Sequence, residues 1–404
     1  MISYLEALDL IKQNTPKPKQ EVVDLDKSLG MILAKDIKAI CPLPVMDNSA
    51  MDGFALNASD VKSASPQASI ELKIKGDICA GDTKPKMLKP GECYRIMTGA
   101  PIPKNANSIL IKEHASINNN KLIFDSEVDV GKHIRRKGEE IKRGSLILKK
   151  GSRIHAGTIA VLASQGLDQI PVIQKPKIAV ISTGSELIKP GKPLKAGQIY
   201  DSNSYMLKAM LQEIGIHSIS LKTLKDKPEQ IQSVIQKVLA NHDMVIIVGG
   251  VSVGEYDFVK QALEEQSVKQ IFWRVDQKPG KPLYFGRKNK TLVFGLPGNP
   301  ASAYICFFEY VNPAICHLMG SKVDPKKSQH LPLEHNIRIR GRQTQFLKAK
   351  VDEKGVHILN HQGSHMITSL HAANAIAVLE VRDKEYIPGE LIEVHILNQF
   401  EVML

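Results

Sequence analysis

The alternation of strands and helices between about residues 175 and 320 constrains the fold of this chain most strongly. Short apolar runs such as "KIAVIST" and "DMVIIVGG" alternate with segments of helical length such as "KPEQIQSVIQKVLAN". Continuous apolar strands are typical of parallel sheets that helices cover on both faces. Strand–helix alternation builds such sheets through right-handed crossovers. The pattern therefore predicts a doubly wound α/β domain over residues 175–322.

The remaining residues predict further, smaller domains, since 404 residues exceed one ordinary core. Residues 46–144 contain short strand-like runs separated by turns, which predicts a small β domain. Residues 323–404 alternate in the strand manner after a polar linker and predict a C-terminal β domain. Residues 1–45 and 145–174 carry helical segments, one of them ending at Gly166. We expect these two segments to form one elongated N-terminal, linking domain. The expected fold class is multi-domain α/β plus β.

Composition favours a cytoplasmic protein. Hydrophobic residues make up 43% and charged residues 24%, as in globular proteins. No apolar run approaches the roughly 18 to 20 residues that span a bilayer, and the N-terminus lacks the features of a signal peptide, so we expect no membrane association. The cysteines are scattered without CxxC spacing, which favours a reduced compartment and argues against a zinc site: Cys41, Cys79, Cys93, Cys306 and Cys316.

The net charge of +12 narrows the possible partners. A basic balance can serve nucleic acid or a small anionic substrate. No block of five or more basic residues occurs, and the densest run, "HIRRKGEEIKRG", is interrupted by Glu139 and Glu140. A solvated basic surface is the simplest interpretation of this charge, and binding of a small anionic substrate is the next. We expect no nucleic-acid binding.

Ligands of open α/β sheets bind beyond the carboxyl ends of the strands, and "VISTGSEL" marks the first such end. Thr183 and Gly184 form a small-residue turn that a ligand can approach, and Glu186 can accept a hydrogen bond or help hold a metal. A capping box with Glu186 in the first turn of a helix explains the same residues equally well.

A glycine loop, "GGVSVGEYD", follows the most apolar strand. Gly249, Gly250 and Ser252 offer backbone N–H groups near a helix start, which suits an anion. The loop lacks the lysine of a Walker A motif. Its acids, Glu255 and Asp257, either occupy the first turn of the helix or indicate a divalent cation between carboxylate and phosphate.

Two further segments supply cations and a helix start. In "QKPGKPLYFG", Lys278 and Lys281 flank a Pro-Gly turn, either as solvated lysines or as the cations that the glycine loop lacks. "GLPGNPASA" predicts a turn followed by a long helix with Asn299 as its N-cap. The residues of this anion-ready helix start are Pro297, Gly298, Asn299, Pro300 and Ser302.

An α/β hydrolase is the main alternative that Ser252 raises, because "GVSVG" matches G-x-S-x-G. That reaction also needs an Asp and then a His at later strand ends. His361, His365 and His371 all follow the linker near residue 321 instead. The hydrolase interpretation is therefore disfavoured.

Eight segments in order along the chain resemble one family. They are "NSAMDGFAL", "YRIMTGAPIP", "HIRRKGEEI", "VISTGSEL", "IYDSNSYML", "GGVSVGEYDFVK", "KPGKPLYFG" and "GLPGNPASA". This order is similar to that of the MoeA/gephyrin E-domain family of molybdopterin molybdenumtransferases. The resemblance implies a central MogA/MoaB-like molybdopterin-binding domain, a C-terminal β-barrel-like domain and an elongated homodimer whose active site is shared across subunits.

The activity that the resemblance implies is molybdenum insertion. Adenylylated molybdopterin and molybdate are the expected substrates, Mg²⁺ is the expected cofactor, and AMP leaves as molybdenum enters the dithiolene. Asp257 and Glu186 are the expected metal ligands, with Asp226 beside them. Asp52 and Thr98 are expected to act from the second subunit.

The resemblance also assigns the binding residues. Substrate binding is expected from Arg135, Thr183, Gly184, Ser202, Gly249, Gly250, Ser252, Pro297, Gly298, Asn299, Pro300 and Ser302. Molybdate is expected at Lys278, Lys281 and Ser302, with Lys348 and Ser364 as further candidates. Relatives commonly carry an arginine where "GRQTQFLKAK" has Lys348, and lysine keeps the charge but loses the bidentate fork.

Two other functions within this resemblance are weighed against insertion. Adenylyl transfer by a MogA-like enzyme is disfavoured, because Ser252 stands where such relatives resemble "GGTG" and because β domains flank the α/β domain. A gephyrin-like scaffold is disfavoured because no fused partner domain is present. A molybdopterin adenylyltransferase is a possible partner protein.

Overall fold

The computed structural model describes residues 1–250, 258–321 and 326–397. The α-helices, in chain order, are α1 (Tyr4–Asn14), α2 (Ala156–Ser164), α3 (Ser202–Glu213), α4 (Pro228–Asn241), α5 (Phe258–Glu265), α6 (Pro300–Cys306), α7 (Asn312–Leu318) and α8 (Thr368–Ala372). A π-helical segment, Phe307–Val311, joins α6 to α7. None of the described helices is both long and apolar enough to cross a membrane.

The strands are β1 (Gln20–Asp24), β2 (Ile37–Lys38), β3 (Asn48–Ser49), β4 (Gly53–Leu56), β5 (Ile70–Ile78), β6 (Glu92–Ile96), β7 (Ser108–Ile111), β8 (Ser116–Asn118), β9 (Lys121–Phe124), β10 (Ile134–Arg135), β11 (Leu146–Leu148), β12 (Gln169–Ile173), β13 (Ile178–Thr183), β14 (Leu187–Ile188), β15 (Ile199–Tyr200), β16 (Ile219–Leu224), β17 (Met244–Val248), β18 (Lys269–Trp273), β19 (Gln277–Lys278), β20 (Tyr284–Lys288), β21 (Thr291–Leu296), β22 (Lys327–Pro332), β23 (Thr344–Asp352), β24 (Gly355–Ile358), β25 (Ala375–Leu379) and β26 (Leu391–Ile396).

The chain forms two compact units. The smaller unit contains Lys35–Ser152 and Ala156–Gln169, and the larger unit contains Met1–Ala34, Arg153–His155 and the chain from Ile170 onward. The predicted division into four domains is finer than these two units and stays a prediction. The predicted fold class, multi-domain α/β plus β, is confirmed.

The α/β domain of the larger unit is built on a sheet with the order β16–β13–β17–β21–β20–β18. The first four of these strands run parallel, as the sequence predicts. β20 and β18 run antiparallel, which strand–helix alternation alone did not predict. The cause is local: β20 and β21 are separated by only two residues, and a two-residue turn produces an antiparallel hairpin. Asn289, with φ of 52°, occupies that turn.

Helices bury both faces of this sheet. One face packs against α3 and α6, where Leu207, Leu211 and Ile305 are fully buried. The other packs against α4 and α5 through side chains such as Ile231 and Leu263. The strands are correspondingly apolar on both faces, and every residue of β13, β17 and β21 is buried.

The C-terminal β domain has the strand order β19–β23–β25–β26–β22, with β24 paired to β23. β19 belongs to the loop before β20, so the α/β domain contributes a strand to this second sheet. Gln277 pairs with Thr344 and Lys278 with Gln345 in parallel register. The two domains of the larger unit are therefore joined by backbone hydrogen bonds at the "QKPGKP" loop.

A buried ionic cluster also joins parts of the larger unit. Glu309, in the π-helical segment, is fully buried and accepts hydrogen bonds from the Tyr4 hydroxyl at 2.6 Å and from His395 Nδ1 at 2.8 Å. Lys326 Nζ lies 3.8 Å from the same carboxylate. Burial lowers the pKa of His395, but the hydrogen bond and charge of Glu309 outweigh it, and the pKa is raised overall. The cluster therefore joins α1, the π-helical segment between α6 and α7, and β26.

The smaller unit carries a sheet with the order β7–β4–β6–β5–β9–β8. Its core includes Phe54, Leu72 and Cys93. Helix α2 lies in the same unit, and its predicted end at Gly166 is confirmed, since Gly166 has φ of 71° and donates to the Ala163 carbonyl.

Candidate active site

The parallel register brings four chain turns to one edge of the α/β sheet. Thr183 at the end of β13 lies opposite Leu224 of β16, and Val248 of β17 lies opposite Leu296 of β21. Residues 184–186, 225–226, 249–250 and 297–299 therefore leave the sheet together. The loop before β20 reaches the same edge, because Tyr284 pairs with Gly295.

A cleft of about 420 Å³ opens at the β21–β20 end of this edge, between the α/β domain and the C-terminal β domain. Lysine, amide and hydroxyl side chains predominate among its walls. The lining residues are Gln277, Lys278, Pro279, Gly280, Lys281, Pro282, Pro297, Asn299, Ser302, Gln343, Gln345, Leu347, Gln362, Gly363 and Ser364. The structure thus brings Lys278, Lys281, Asn299, Ser302 and Ser364 to one cleft.

The lysine loop is held from below by Gln277, which is fully buried. Its Nε2 donates to the Pro279 carbonyl at 3.0 Å, and its Oε1 accepts from the Tyr310 hydroxyl. The Lys281 carbonyl accepts from the backbone N–H groups of Val275 and Leu283, both at 3.0 Å. The loop backbone is therefore fixed, while Lys278 and Lys281 remain exposed.

Gly280 is required inside this loop. It has φ of 91°, and an added Cβ would lie 2.5 Å from Cys306 Sγ and 2.7 Å from Gln277 Nε2. The glycine thus lets the loop pack directly on α6, whose last residue, Cys306, donates its thiol hydrogen to the Gly280 carbonyl at 3.6 Å.

The start of the long helix is tied to the C-terminal domain. Asn299 stands at the predicted N-cap position, but its side chain does not cap the helix. It donates instead to Ser364 Oγ at 3.0 Å, while the Ser364 carbonyl accepts from the Ala301 N–H, also at 3.0 Å. Ser364 therefore satisfies a free N–H group of the first turn, and Ser302 follows in that turn with 3% exposure.

Lys348 supports the same loop of the C-terminal domain. It is 1% exposed, and its ammonium donates to the carbonyls of His361 at 2.8 Å and Met366 at 3.2 Å. Burial lowers its pKa. In this structure Lys348 holds the segment that carries Ser364, and its direct contact with an oxyanion stays a prediction. The Ser369 hydroxyl donates to the His361 carbonyl, which adds to the same support.

Two carboxylates lie at the opposite, β16–β13, end of the edge. Asp226 Oδ2 accepts from the Ser185 N–H at 2.9 Å, and the Asp226 N–H donates to Ser185 Oγ at 3.2 Å. Glu186 folds back over Gly184, so that a Cβ at that glycine would lie 2.5 Å from its carboxylate. Asp226 is exposed and Glu186 is half-buried. Ser185 thus links the turn after β13 to the turn after β16.

The glycine turn lies between the acids and the lysines. An added Cβ at Gly250, which has φ of 63°, would lie 2.7 Å from Val259 Cγ2 and 3.0 Å from Thr183 Oγ1. Thr183 Oγ1 is buried and has no hydrogen-bond partner among the described residues. A buried hydroxyl without a partner is costly, so this atom is open to a hydrogen bond with a ligand or a water.

Asn203 gives a second such indication and was not predicted from the sequence. Its Nδ2 donates to the Gly298 carbonyl at 2.7 Å, while its Oδ1 is buried and without a partner in the described part of the chain. Asp201 N-caps α3 by accepting from the Ser204 N–H at 3.0 Å. The sequence "DSNS" is typical of a helix start and could have indicated this segment. Ser202, predicted to bind substrate, is exposed at the first position of α3.

Gln277 was also missed, and the sequence around it carries no signal for its role. Only the fold shows that its amide lies beneath the lysine loop. The predicted Ser252 and Asp257, together with Glu255, lie outside the described residues.

The remaining predicted residues belong to the smaller unit. Asp52 Oδ1 accepts from the Thr98 N–H at 2.7 Å and from the Thr98 hydroxyl at 2.8 Å. These two hydrogen bonds, the backbone one first, hold the pKa of Asp52 below its usual value. Arg135 is exposed on β10. The structure therefore brings Asp52 and Thr98 together, with the Asp52 carboxylate oriented by two hydrogen bonds.

Comparison with known proteins decides the family. Residues 2–166 match the MoeA N-terminal region (domain I and II), residues 179–317 a probable molybdopterin binding domain, and residues 330–397 the MoeA C-terminal region (domain IV). The molybdopterin molybdenumtransferase of Haemophilus influenzae is 34% identical, over 98% of this chain and 99% of its own. The chain belongs to the MoeA family.

Other members of the MoeA family are similar to this chain over nearly its whole length. The Staphylococcus epidermidis molybdopterin molybdenumtransferase is 33% identical over 99% of this chain and 97% of its own. The crystal structure of a Pyrococcus horikoshii MoeA protein covers 99% of this chain, and all of that chain is matched, with a TM-score of 0.87 and 30% identity. The predicted family, its fold and the class of enzyme, a transferase, are confirmed.

Gly280→Ala tests the packing of the lysine loop in this MoeA-family chain. The added Cβ is expected to lower the free energy of unfolding by about 1–3 kcal/mol through overpacking, beyond any backbone strain. It is also expected to weaken binding of a tetrahedral oxyanion such as molybdate. Urea unfolding and calorimetric titration measure the two effects.

Gly191→Ala is the matched control, since Gly191 has φ of 89° but no atom lies within 4 Å of the place that an added Cβ would occupy. Equal effects of the two substitutions on stability and binding would show that the contact with Cys306 and Gln277 is unimportant.

Proposed function

We propose that this chain inserts molybdenum into adenylylated molybdopterin, using molybdate as the metal source, with Mg²⁺-assisted cleavage of the phosphoanhydride and release of AMP. The curated relatives are named molybdopterin molybdenumtransferase. The observation that carries the proposal for this chain is the order of side chains along the carboxyl edge of the α/β sheet.

The side chains along this edge are acidic at the β16 end and basic at the β20 end. The strand order places Asp226 after β16, Glu186 after β13, the glycine turn after β17, Asn299 after β21 and the lysine loop before β20. Four strand spacings separate β16 from β20, which is roughly 19 Å at about 4.8 Å each. A long ligand with phosphates in the middle matches this edge better than a single small anion does.

The lysine end suits the molybdate substrate. Lys278 and Lys281 project from a fixed loop into a cleft that Ser302 and Asn299 also line. Two ammonium groups and a hydroxyl provide charge and hydrogen-bond donors for a dianion. Because the loop is already anchored, little reorganisation is needed when the oxyanion binds. Lys348 contributes by positioning Ser364.

The acidic end suits Mg²⁺. The donor set is made of oxygens, namely the carboxylates of Glu186 and Asp226, and Mg²⁺ prefers oxygen ligands and keeps several waters. The buried, unpartnered Thr183 Oγ1 lies next to this turn. Asp257 is proposed as a further ligand from the sequence. When bound, Mg²⁺ would neutralise phosphate charge and stabilise the charge that develops on the leaving AMP.

The chain's own residues then have distinct tasks. The Gly249 N–H donates to the Leu296 carbonyl at 3.2 Å, so within the described part of the turn the Gly250 N–H is the group that can donate to a phosphate oxygen. Thr183 and Asn203 offer oxygens that bind ligand donors. The lysines hold molybdate beside the dithiolene, so that anhydride cleavage and molybdenum insertion take place at the same edge of the sheet.

The deciding assay supplies purified chain with adenylylated molybdopterin, molybdate and Mg²⁺ and follows AMP release. We expect AMP release that stops on chelation of Mg²⁺. Lys278→Met and Lys281→Met are each expected to lower turnover on the order of 100-fold, as loss of a preorganised charge does. Lys208→Met, an exposed lysine on α3, is the matched control and should leave turnover unchanged.

Two outcomes contradict the proposal. One is absence of AMP release with the authentic substrate. The other is ATP-dependent adenylylation of molybdopterin without molybdenum insertion, which is the sister activity. If both lysine variants turned over like the wild type, the insertion activity could stand but the molybdate site would lie elsewhere.

We further propose that the chain forms a homodimer and that Asp52 and Thr98 complete the site of the partner subunit. The support is the pair itself: hydrogen bonds from the Thr98 N–H and hydroxyl orient the Asp52 carboxylate and lower its pKa, and Asp52 is exposed on a loop. An oriented surface carboxylate of this kind is suited to a ligand brought by another chain. A cytoplasmic location and a molybdopterin adenylyltransferase partner stay predictions.

Subunit complementation tests the shared site. Asp52→Ala and Lys278→Met chains, each nearly inactive alone, are unfolded together and refolded as a mixture. Random pairing in a symmetric dimer would restore about a quarter of wild-type AMP release, because half of the dimers regain one intact site.

No recovery, with dimers shown by light scattering, means that both residues serve the site of their own chain. Monomers in solution would contradict the dimer itself. Mixing Lys278→Met with Lys281→Met is the control that should not recover activity.

A further inference from the structure

A cluster of ligand-type side chains lies in the C-terminal β domain, apart from the cleft-lining residues. Glu334 and His335 follow β22, and His357 belongs to β24. Backbone contacts hold the two segments together, since the Glu334 N–H donates to the Val356 carbonyl at 3.0 Å. One ligand atom from each of the three residues lies within 4.8 Å of the others.

Two of the three separations between ligand atoms are close to those around a tetrahedral ion. Glu334 Oε2 lies 3.8 Å from His335 Nε2 and 3.6 Å from His357 Nδ1. With metal–ligand bonds of about 2.0–2.1 Å, neighbouring ligand atoms in a tetrahedral zinc site are about 3.4 Å apart. His335 Nε2 and His357 Nδ1 are hydrogen-bonded to each other, and their rings meet edge to face at 80°. The two nitrogens lie closer together than two ligands of one tetrahedral ion, so binding of the ion would separate them and replace this hydrogen bond.

An orphaned atom provides an independent sign. Glu334 Oε1 is buried and has no hydrogen-bond partner among the described residues. Within the described part of the chain, this carboxylate pairs with the two histidines, and they attract it only when protonated. A buried carboxylate oxygen without a partner is costly, and a cation bound at the cluster would supply that partner.

We propose that Glu334, His335 and His357 bind a divalent transition-metal ion of the zinc class. Two imidazoles and one carboxylate are ligands that Zn²⁺ favours, whereas Mg²⁺ prefers oxygen alone. Three protein ligands leave one position for water, and half of the His335 side-chain surface is exposed. The ion joins the segment after β22 to β24.

The site uses no cysteine, so cysteine spacing could not indicate it. None of its residues lines the proposed molybdate cleft. Failure of the metal site and failure of the proposed function are therefore separate results.

The test uses the full chain without a polyhistidine tag, stripped with a chelator and titrated with Zn²⁺ in the presence of excess Mg²⁺. The wild type is expected to bind one Zn²⁺ that His335→Ala, His357→Ala and Glu334→Gln each weaken at least tenfold. His217→Ala, which removes an exposed histidine of the α/β domain, should bind as the wild type does. Zn²⁺ should raise the Tm of wild type and control but not of the cluster variants.

Equal Zn²⁺ affinity in wild type and cluster variants would overturn the proposal, as would no binding to the wild type. His335→Ala removes an exposed side chain and is expected to fold, which circular dichroism of the metal-free variants checks. Anomalous diffraction at the zinc edge gives a second test on the wild type alone. A peak between Glu334, His335 and His357 supports the site, and zinc found only at the exposed Cys79 or at the carboxyl edge of the sheet contradicts it.

Discussion

The parallel register of β16, β13, β17 and β21 is the constraint on which the candidate active site depends. Since the carboxyl ends of these strands align, the turns after Leu224, Thr183, Val248 and Leu296 meet at one edge. Residues far apart in sequence become neighbours there without any long loop. Helices pack on both faces of the sheet, so a strand that slipped would have to repack all of its buried side chains against them.

A second constraint comes from the C-terminal β domain, which reaches the same edge. β19 contributes the start of the lysine loop to the C-terminal sheet by pairing with β23. At the start of α6, the Ser364 carbonyl accepts a hydrogen bond from the Ala301 N–H, and the Ser364 hydroxyl accepts one from the Asn299 side chain. The lysines are thus held between two domains, with Gln277 beneath them. Fixed donors of this kind are what stabilise an anion with least reorganisation, which is why the cleft is the proposed molybdate site.

The sequence predicted the parts of the structure that depend on local pattern. Apolar runs located β13 and β17, and Gly166 located the end of α2. These predictions succeed because strand and helix periods and turn residues are readable within a short window. The grouping of Lys278, Lys281 and Ser302, which line one cleft, came from the family resemblance instead.

The rest depends on contacts between distant segments. Asn299 was predicted as a capping side chain, but Ser364 competes for it successfully. Lys348 at an oxyanion stays a prediction, and only the fold shows that its ammonium donates to the carbonyls of His361 and Met366. Gln277 and the Glu334–His357 pairing carry no signal in a short window, because only the folded chain brings their partners into reach.

The location of molybdate itself is the most direct test of the proposed site. Crystals of the chain soaked in molybdate, with anomalous data collected at the molybdenum edge, place the oxyanion independently of any assay. We expect a peak within hydrogen-bond reach of Lys278, Lys281 and Ser302, and its loss in crystals of Lys281→Met. A peak at the Asp226 and Glu186 end of the edge, or none at the carboxyl edge of the sheet, would contradict the proposed molybdate site.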